Sequence, residues 1–141
     1  MIELPTPLYL EMVSHCLAGL PDEACGLLAG HTGSGRVTRC YPTQNIAKSA
    51  KHYLVDSREH LRADRDAEKN GWELIGVFHS HTHTDAYPSP TDVEYAPDPD
   101  WHYVIVSLRE THPVVRSYRI VRAAIEEEPV VVVASSEGRT G

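Results

Sequence analysis

Two imidazoles, a hydroxyl and a carboxylate fall within the segment HSHTHTDAYPSPTD, His79 to Asp92, at spacings that suit one divalent metal. The preceding residues GWELIGVF alternate little and are rich in branched and aromatic side chains, which reads as a buried strand running into His79. Residues two apart on a strand share a face, so His79 and His81 would point to one side and Ser80 to the other. Ser89, Pro90 and Asp92 fit the N-cap, first and third positions of a helix that starts after the turn at Tyr87 and Pro88. Ser-x-x-Asp is also a capping box. The two readings coexist, because a carboxylate held at a helix N-terminus is a well-oriented ligand. Two His and one carboxylate make three protein ligands. A catalytic zinc keeps its fourth position for water, whereas a structural zinc is closed by four protein ligands. Metal-assisted hydrolysis is the leading reading, and it needs a proton-accepting group that His-x-His does not contain.

The search for that group moves upstream, where a Glu stands at a distance in PDEACGLLAG. With it the pattern is complete: a Glu, then His-x-His, seven residues, and Ser-x-x-Asp. This resembles the signature of the JAMM (MPN+) metallopeptidases at every position, and the likeness runs from about Pro21 into the strand at Ser117 to Val121. The stretches DEACGLLAG, HSHT, AYPSPTDV, HYVIVS and RSYRIV resemble most the bacterial Mec-type members, which act on small ubiquitin-fold sulfur-carrier proteins. The resemblance implies that His79, His81 and Asp92 bind one zinc per chain. It also implies that Glu23 is the general base and acid, and that Ser89 helps hold the oxyanion of the tetrahedral intermediate. The implied partner is a ubiquitin-fold sulfur carrier ending in Gly-Gly, cleaved after the terminal glycine to release cysteine or a short extension. Two alternatives stay open: an isopeptidase that removes ubiquitin-like modifiers from lysine, and an inactive MPN-type scaffold that binds partners without chemistry. The chain has no room for the insertions that eukaryotic relatives use to grip linked ubiquitin.

The elements that must position these residues follow from pattern. LYLEMVSHCLAGL, Leu8 to Leu20, has helical spacing behind Pro5 and Pro7. A strand is expected at about Cys25 to Ala29, then a turn at HTGSG, a second strand in RVTRCYPTQN and a short third in HYLV. Ser57 to Asn70 reads as a charged amphipathic helix with a thin apolar side, its charges solvated. Strands near Leu74 to His79, Tyr103 to Leu108 and Val114 to Val121 build the sheet, with a short helix at Thr91 to Ala96. EEEPVVVV is a candidate edge strand, and residues 135–141 are expected to be disordered. The expected fold class is α/β, a single-domain JAMM-like sandwich over residues 1–134 with a curved mixed sheet flanked by helices.

Composition sets the outer limits. With 141 residues and 41% hydrophobic content, the chain can bury one core but is too short for a metal-dependent TIM barrel. A net charge of −7 gives no basic footprint for nucleic acid. No apolar run approaches the ~20 residues of a membrane span, and no signal-peptide layout opens the chain, so a cytoplasmic protein is expected. Three cysteines, Cys16, Cys25 and Cys40, form no C-x-x-C pattern, which argues against a disulfide framework. Cys25 enters an apolar run and reads as a core residue rather than a nucleophile. His83 reads as a loop residue past the end of the strand, and His102 as a partly buried histidine. The sequence leaves a homodimer open.

Overall fold

A computed structural model describes residues 1–31 and 33–134. The elements run β1 (Ile2–Pro5), α1 (Thr6–Gly19), β2 (Cys25–Gly30), β3 (Val37–Thr43), α2 (Ser57–Lys69), β4 (Glu73–His81), α3 (Pro90–Glu94), β5 (His102–Ser107), β6 (Val114–Val121), β7 (Ala124–Glu128) and β8 (Val130–Val133). Six strands form one mixed sheet in the order β3-β2-β4-β5-β6-β7. Only the β4–β5 pairing in it is parallel, and the crossover between those two strands carries α3. This is the expected α/β sandwich.

Each face of the sheet carries its own core. On one, Met12, Val13 and Cys16 of α1 pack with Leu28, Phe78, Val104 and Val106. On the other, Ala63 and Ala67 of α2 pack with Leu27, Val77, Tyr103 and Ile105. The thin apolar side of α2 is therefore two alanines, small enough to lie close to the sheet. Its charged residues face outward, apart from Glu59, which accepts from the Gln44 N–H at 2.8 Å, and Asp66, which accepts from Tyr41 Oη at 2.6 Å.

β4 is buried on both faces from Leu74 to its end, which explains its continuous apolar run. It also contains a bulge: Ala29 pairs with Leu74 and Leu28 with Gly76, so Ile75 has no partner on β2. The bulge reverses the face of every later residue. As a result Leu74, Val77 and the histidines beyond share the α2 side, while Ile75 and Phe78 fill the α1 side.

Three expectations need correction. α1 begins at Thr6 rather than Leu8, because Pro7 lies in the first turn, where a missing N–H leaves no bond unmade. HYLV forms no third strand. Within it only Val55 makes an isolated bridge, to Asn45, and the Leu54 N–H donates to the Asn45 side chain instead of a strand neighbour. EEEPVVVV is two strands rather than one, since Pro129 cannot donate to a ladder. β7 ends before it as the sheet edge, and β8 pairs in parallel with β1, a four-residue strand ahead of α1 that the sequence pattern does not show. The expected disordered tail lies outside the described residues. Among the described residues no helix is long and apolar enough to cross a membrane.

Candidate metal centre

The last residues of β4 and the first turn of α3 meet at the sheet's parallel pair. His79, His81 and Asp92 are all buried, and one ligand atom from each lies within 4.8 Å of the others. His79 Nε2 and His81 Nε2 are 3.2 Å apart, and Asp92 Oδ2 lies 3.2 Å from the first and 3.0 Å from the second. A proton could bridge one edge of this triangle at a time; one cation serves all three. Tetrahedral bonds of ~2.0–2.1 Å imply ligand–ligand separations of about 3.3 Å, close to the edges found, so the donor set fits zinc.

Surrounding groups orient each ligand. Asp85 O lies 2.8 Å from His81 Nδ1; with Nδ1–H donating there, Nε2 presents its lone pair to the centre. The loop carrying that carbonyl is tied down by Ser107 Oγ, which donates to Thr84 O at 2.6 Å, and by the Tyr118 hydroxyl, which donates to Ala86 O. Tyr53 stacks on His79 with ring centroids 4.3 Å apart and planes 21° from parallel. The Ser89 N–H donates to Asp92 Oδ2 at 2.9 Å, and the Asp92 N–H donates to Ser89 Oγ at 3.0 Å. The capping box expected from Ser-x-x-Asp is thus formed, and it holds the Asp92 carboxylate. Burial opposes ionisation of Asp92, but bonds to the two imidazoles and to Ser89 outweigh it and hold the carboxyl well below its ordinary range. Burial pushes His79 below its ordinary value against the pull of Asp92, which favours the neutral, ligating form.

Glu23 reaches the same place from the residues just before β2. Cys25 pairs with His79 across the antiparallel β2–β4 ladder, so counting two residues outward on each strand sets Glu23 beside His81. The carboxyl is buried, and Oε1 has no hydrogen-bond partner among the described residues. Burial pushes its pKa up to about 8, with His81 opposing and Asp92 reinforcing the shift. A buried carboxylate oxygen without a hydrogen-bond partner is a costly arrangement for a merely structural acid, and a suitable one for a group that handles protons.

The structure therefore brings Glu23, His79, His81, Ser89 and Asp92 together. His83 is exposed, with Nδ1 2.9 Å from Thr82 Oγ1, outside the ligand group. His102 is more buried than expected and pairs with Glu128 at 2.6 Å, opposite Gly76 at the far end of the strand pair. Cys25 is buried, with Sγ 3.4 Å from Thr43 Oγ1, and burial pushes its thiol up to about 11, which suits a core residue. Sequence reading missed Tyr53 and the Asp85 carbonyl. An aromatic in HYLV gave no sign that it would lie against a histidine 26 residues later, and a backbone acceptor leaves no mark in side-chain type.

The sequence profile of the prokaryotic homologs of the JAB domain matches residues 5–121. The chain belongs to that family. The matched span of this JAB-family hydrolase includes all five residues of the centre. It is 50% identical over 123 residues to the CysO-cysteine peptidase of Mycobacterium tuberculosis, covering 86% of this chain and 84% of the relative. It is also 35% identical over 102 residues to a desampylase of Haloferax volcanii, covering 69% and 73%. A JAB1/MPN domain protein from Archaeoglobus fulgidus shares the fold with a TM-score of 0.63 at 17% identity, covering 94% of this chain and 99% of that one. The expected kinship with the Mec-type JAMM peptidases is thereby met.

Proposed function

We propose that the protein is a zinc peptidase that cleaves after the C-terminal Gly-Gly of a ubiquitin-fold sulfur carrier, releasing cysteine or a short extension. The observation that carries this reading is the convergence of three buried ligand atoms on one point beside a buried carboxylate with an unpartnered oxygen. The name of the mycobacterial relative, a CysO-cysteine peptidase, supports the substrate class.

His79, His81 and Asp92 would hold the zinc, which when bound would supply a Lewis acid and make water nucleophilic near neutral pH. Glu23 takes the attacking water's proton at its carboxylate and returns it to the leaving nitrogen as the C–N bond breaks. Glu23 would be favoured in its ionised form, against its burial, with a cation in the centre, and would then rest as a base. The Ser89 hydroxyl accepts from Asp92 N, which leaves its own proton to donate to the developing oxyanion. An apolar groove of about 500 Å³, lined by Tyr53, Leu54, Val55, Tyr95 and Trp101 among others, borders the centre through Tyr53 and Thr91. It suits a flexible tail laid in extended form.

The test is intact-mass analysis of zinc-loaded protein with a carrier bearing either cysteine or a short extension after Gly-Gly, beside a chelated control. Loss of those residues only with zinc supports the reading. Intact carriers in every arm, with zinc bound, would overturn it in favour of isopeptide substrates or a binding role.

A further inference from the structure

We propose that Asn45 is a positioning residue for Glu23, acting through the loop of residues 45–55. The inference rests on the peptidase reading for the role of Glu23, and on geometry for everything else.

The Asn45 carboxamide makes four hydrogen bonds, its full capacity. Nδ2 donates to Glu23 O at 2.9 Å and to His52 O at 3.1 Å. Oδ1 accepts from Ala47 N at 3.0 Å and from Leu54 N at 2.9 Å. A flipped amide would set donors against donors and acceptors against acceptors, so the orientation is fixed by its partners. One side chain thereby folds the loop back on itself and ties it to the backbone of Glu23.

The loop in turn grips the centre at three further points. Ser49 O accepts from Glu23 N at 2.8 Å. Ala50 O accepts from Thr82 Oγ1 at 3.1 Å, next to His81. Tyr53 stacks on His79. Glu23 precedes β2 and lies outside the sheet ladders, so both its N–H and its C=O are held by this loop system rather than by a neighbouring strand. With no partner for Oε1 among the described residues, the aim of the carboxylate depends on where its backbone is held. Misplacing a reacting group by ~1 Å can cost ~100-fold in rate.

The test compares Asn45→Ala and Asn45→Asp with the wild type, each as the full zinc-loaded chain. Asn45→Asp keeps an oxygen for Ala47 N and Leu54 N but turns its other oxygen on the carbonyls of Glu23 and His52, so it releases Glu23 while sparing half of the loop. Both variants are expected to lose ~10- to 100-fold in kcat, with KM within about twofold of wild type and one zinc per chain. In two-dimensional amide NMR of the zinc-free proteins, the Glu23 resonance should move in both variants, while exchange of the Ala47 and Leu54 amides accelerates only in Asn45→Ala. Tyr41→Phe, which removes the bond to Asp66 between β3 and α2, supplies a control expected to lower Tm without changing kcat. Wild-type kcat in Asn45→Asp, an unmoved Glu23 resonance, zinc loss in step with rate, or collapse of the fold in both variants would each overturn the assignment. If the wild type cleaves neither carrier, the functional reading fails, whereas the NMR comparison still decides whether Asn45 holds Glu23.

Discussion

The two ends of the β4–β5 pair each bury a carboxylate beside histidine, and they treat it in opposite ways. At the β5 start, Glu128 accepts from Ser117 Oγ at 2.7 Å and from Arg119 Nε at 3.3 Å, lies 2.8 Å from the Met1 amino group, and pairs with His102 Nδ1 at 2.6 Å. Burial alone would raise its pKa; these donors, His102 foremost, bring it down to about 2. At the β4 end Nε2 of two imidazoles and Oδ2 of Asp92 face one another, and Glu23 is pushed up to about 8 by the same kind of burial without the donors. A satisfied buried network rigidifies a fold; an unsatisfied one needs a ligand or a reaction to explain it. Similar residue types therefore mean structure at one end and chemistry at the other.

The comparison can be broken by mutation. Glu23→Gln should keep one zinc per chain, measured by elemental analysis, while kcat falls by ~10²- to 10⁴-fold; retained turnover would mean that another group moves the proton. Asp92→Ala should abolish zinc stabilisation. In the wild type, zinc at 100 times its Kd adds about 2.7 kcal/mol, visible as a rise in Tm that the variant lacks. Ser89→Ala should lower kcat ~100-fold or more if its hydroxyl serves the oxyanion, with a cap loss of about 1 kcal/mol; a stability loss with unchanged rate would leave it as a cap only.

Glu128→Gln should do the reverse, costing about 3 kcal/mol in urea unfolding at pH 7, the linkage equivalent of the carboxyl's fall from 4.5 to about 2, with kcat within twofold of wild type. The folded-state pKa of Glu128 is depressed, so its contribution is fully present above the ordinary value of 4.5 and is lost as pH falls through about 2. The stability gap between variant and wild type should accordingly narrow between pH 5 and pH 2. A gap that persists at the acid end would show that packing, rather than charge, holds that network. His83→Ala should have the smallest effect, within twofold in both kcat and zinc content.

What was legible in the sequence was local. His79 and His81 follow the two-residue period of a strand, and Ser89 and Asp92 follow the three-residue reach of a capping box, so four of the five residues in the centre declare their geometry within one segment. Glu23 was found through the family signature, because its contact with His81 is set by the register of β2 on β4, which no local period encodes. The missed features share that cause. β1 and the split of EEEPVVVV into two strands were missed because β1 and β8 are four-residue strands that pair across nearly the whole chain, too short to show a period of their own. HYLV looked extended because Tyr, Leu and Val favour strands, but the Asn45 side chain takes the Leu54 N–H and donates to the His52 carbonyl. His102 and Glu128 meet only because β5, β6 and β7 lie side by side. The bulge at Ile75 was hidden because β4 is apolar on both faces, and a change of face leaves no trace in such a run.

The measurement that tests the account most directly is anomalous diffraction at the zinc edge from crystals of the zinc-loaded protein. The account predicts one peak within bonding distance of His79 Nε2, His81 Nε2 and Asp92 Oδ2, and none at the His102–Glu128 pair. No peak at the β4 end in protein shown to carry zinc, or a peak at the other end, would contradict it.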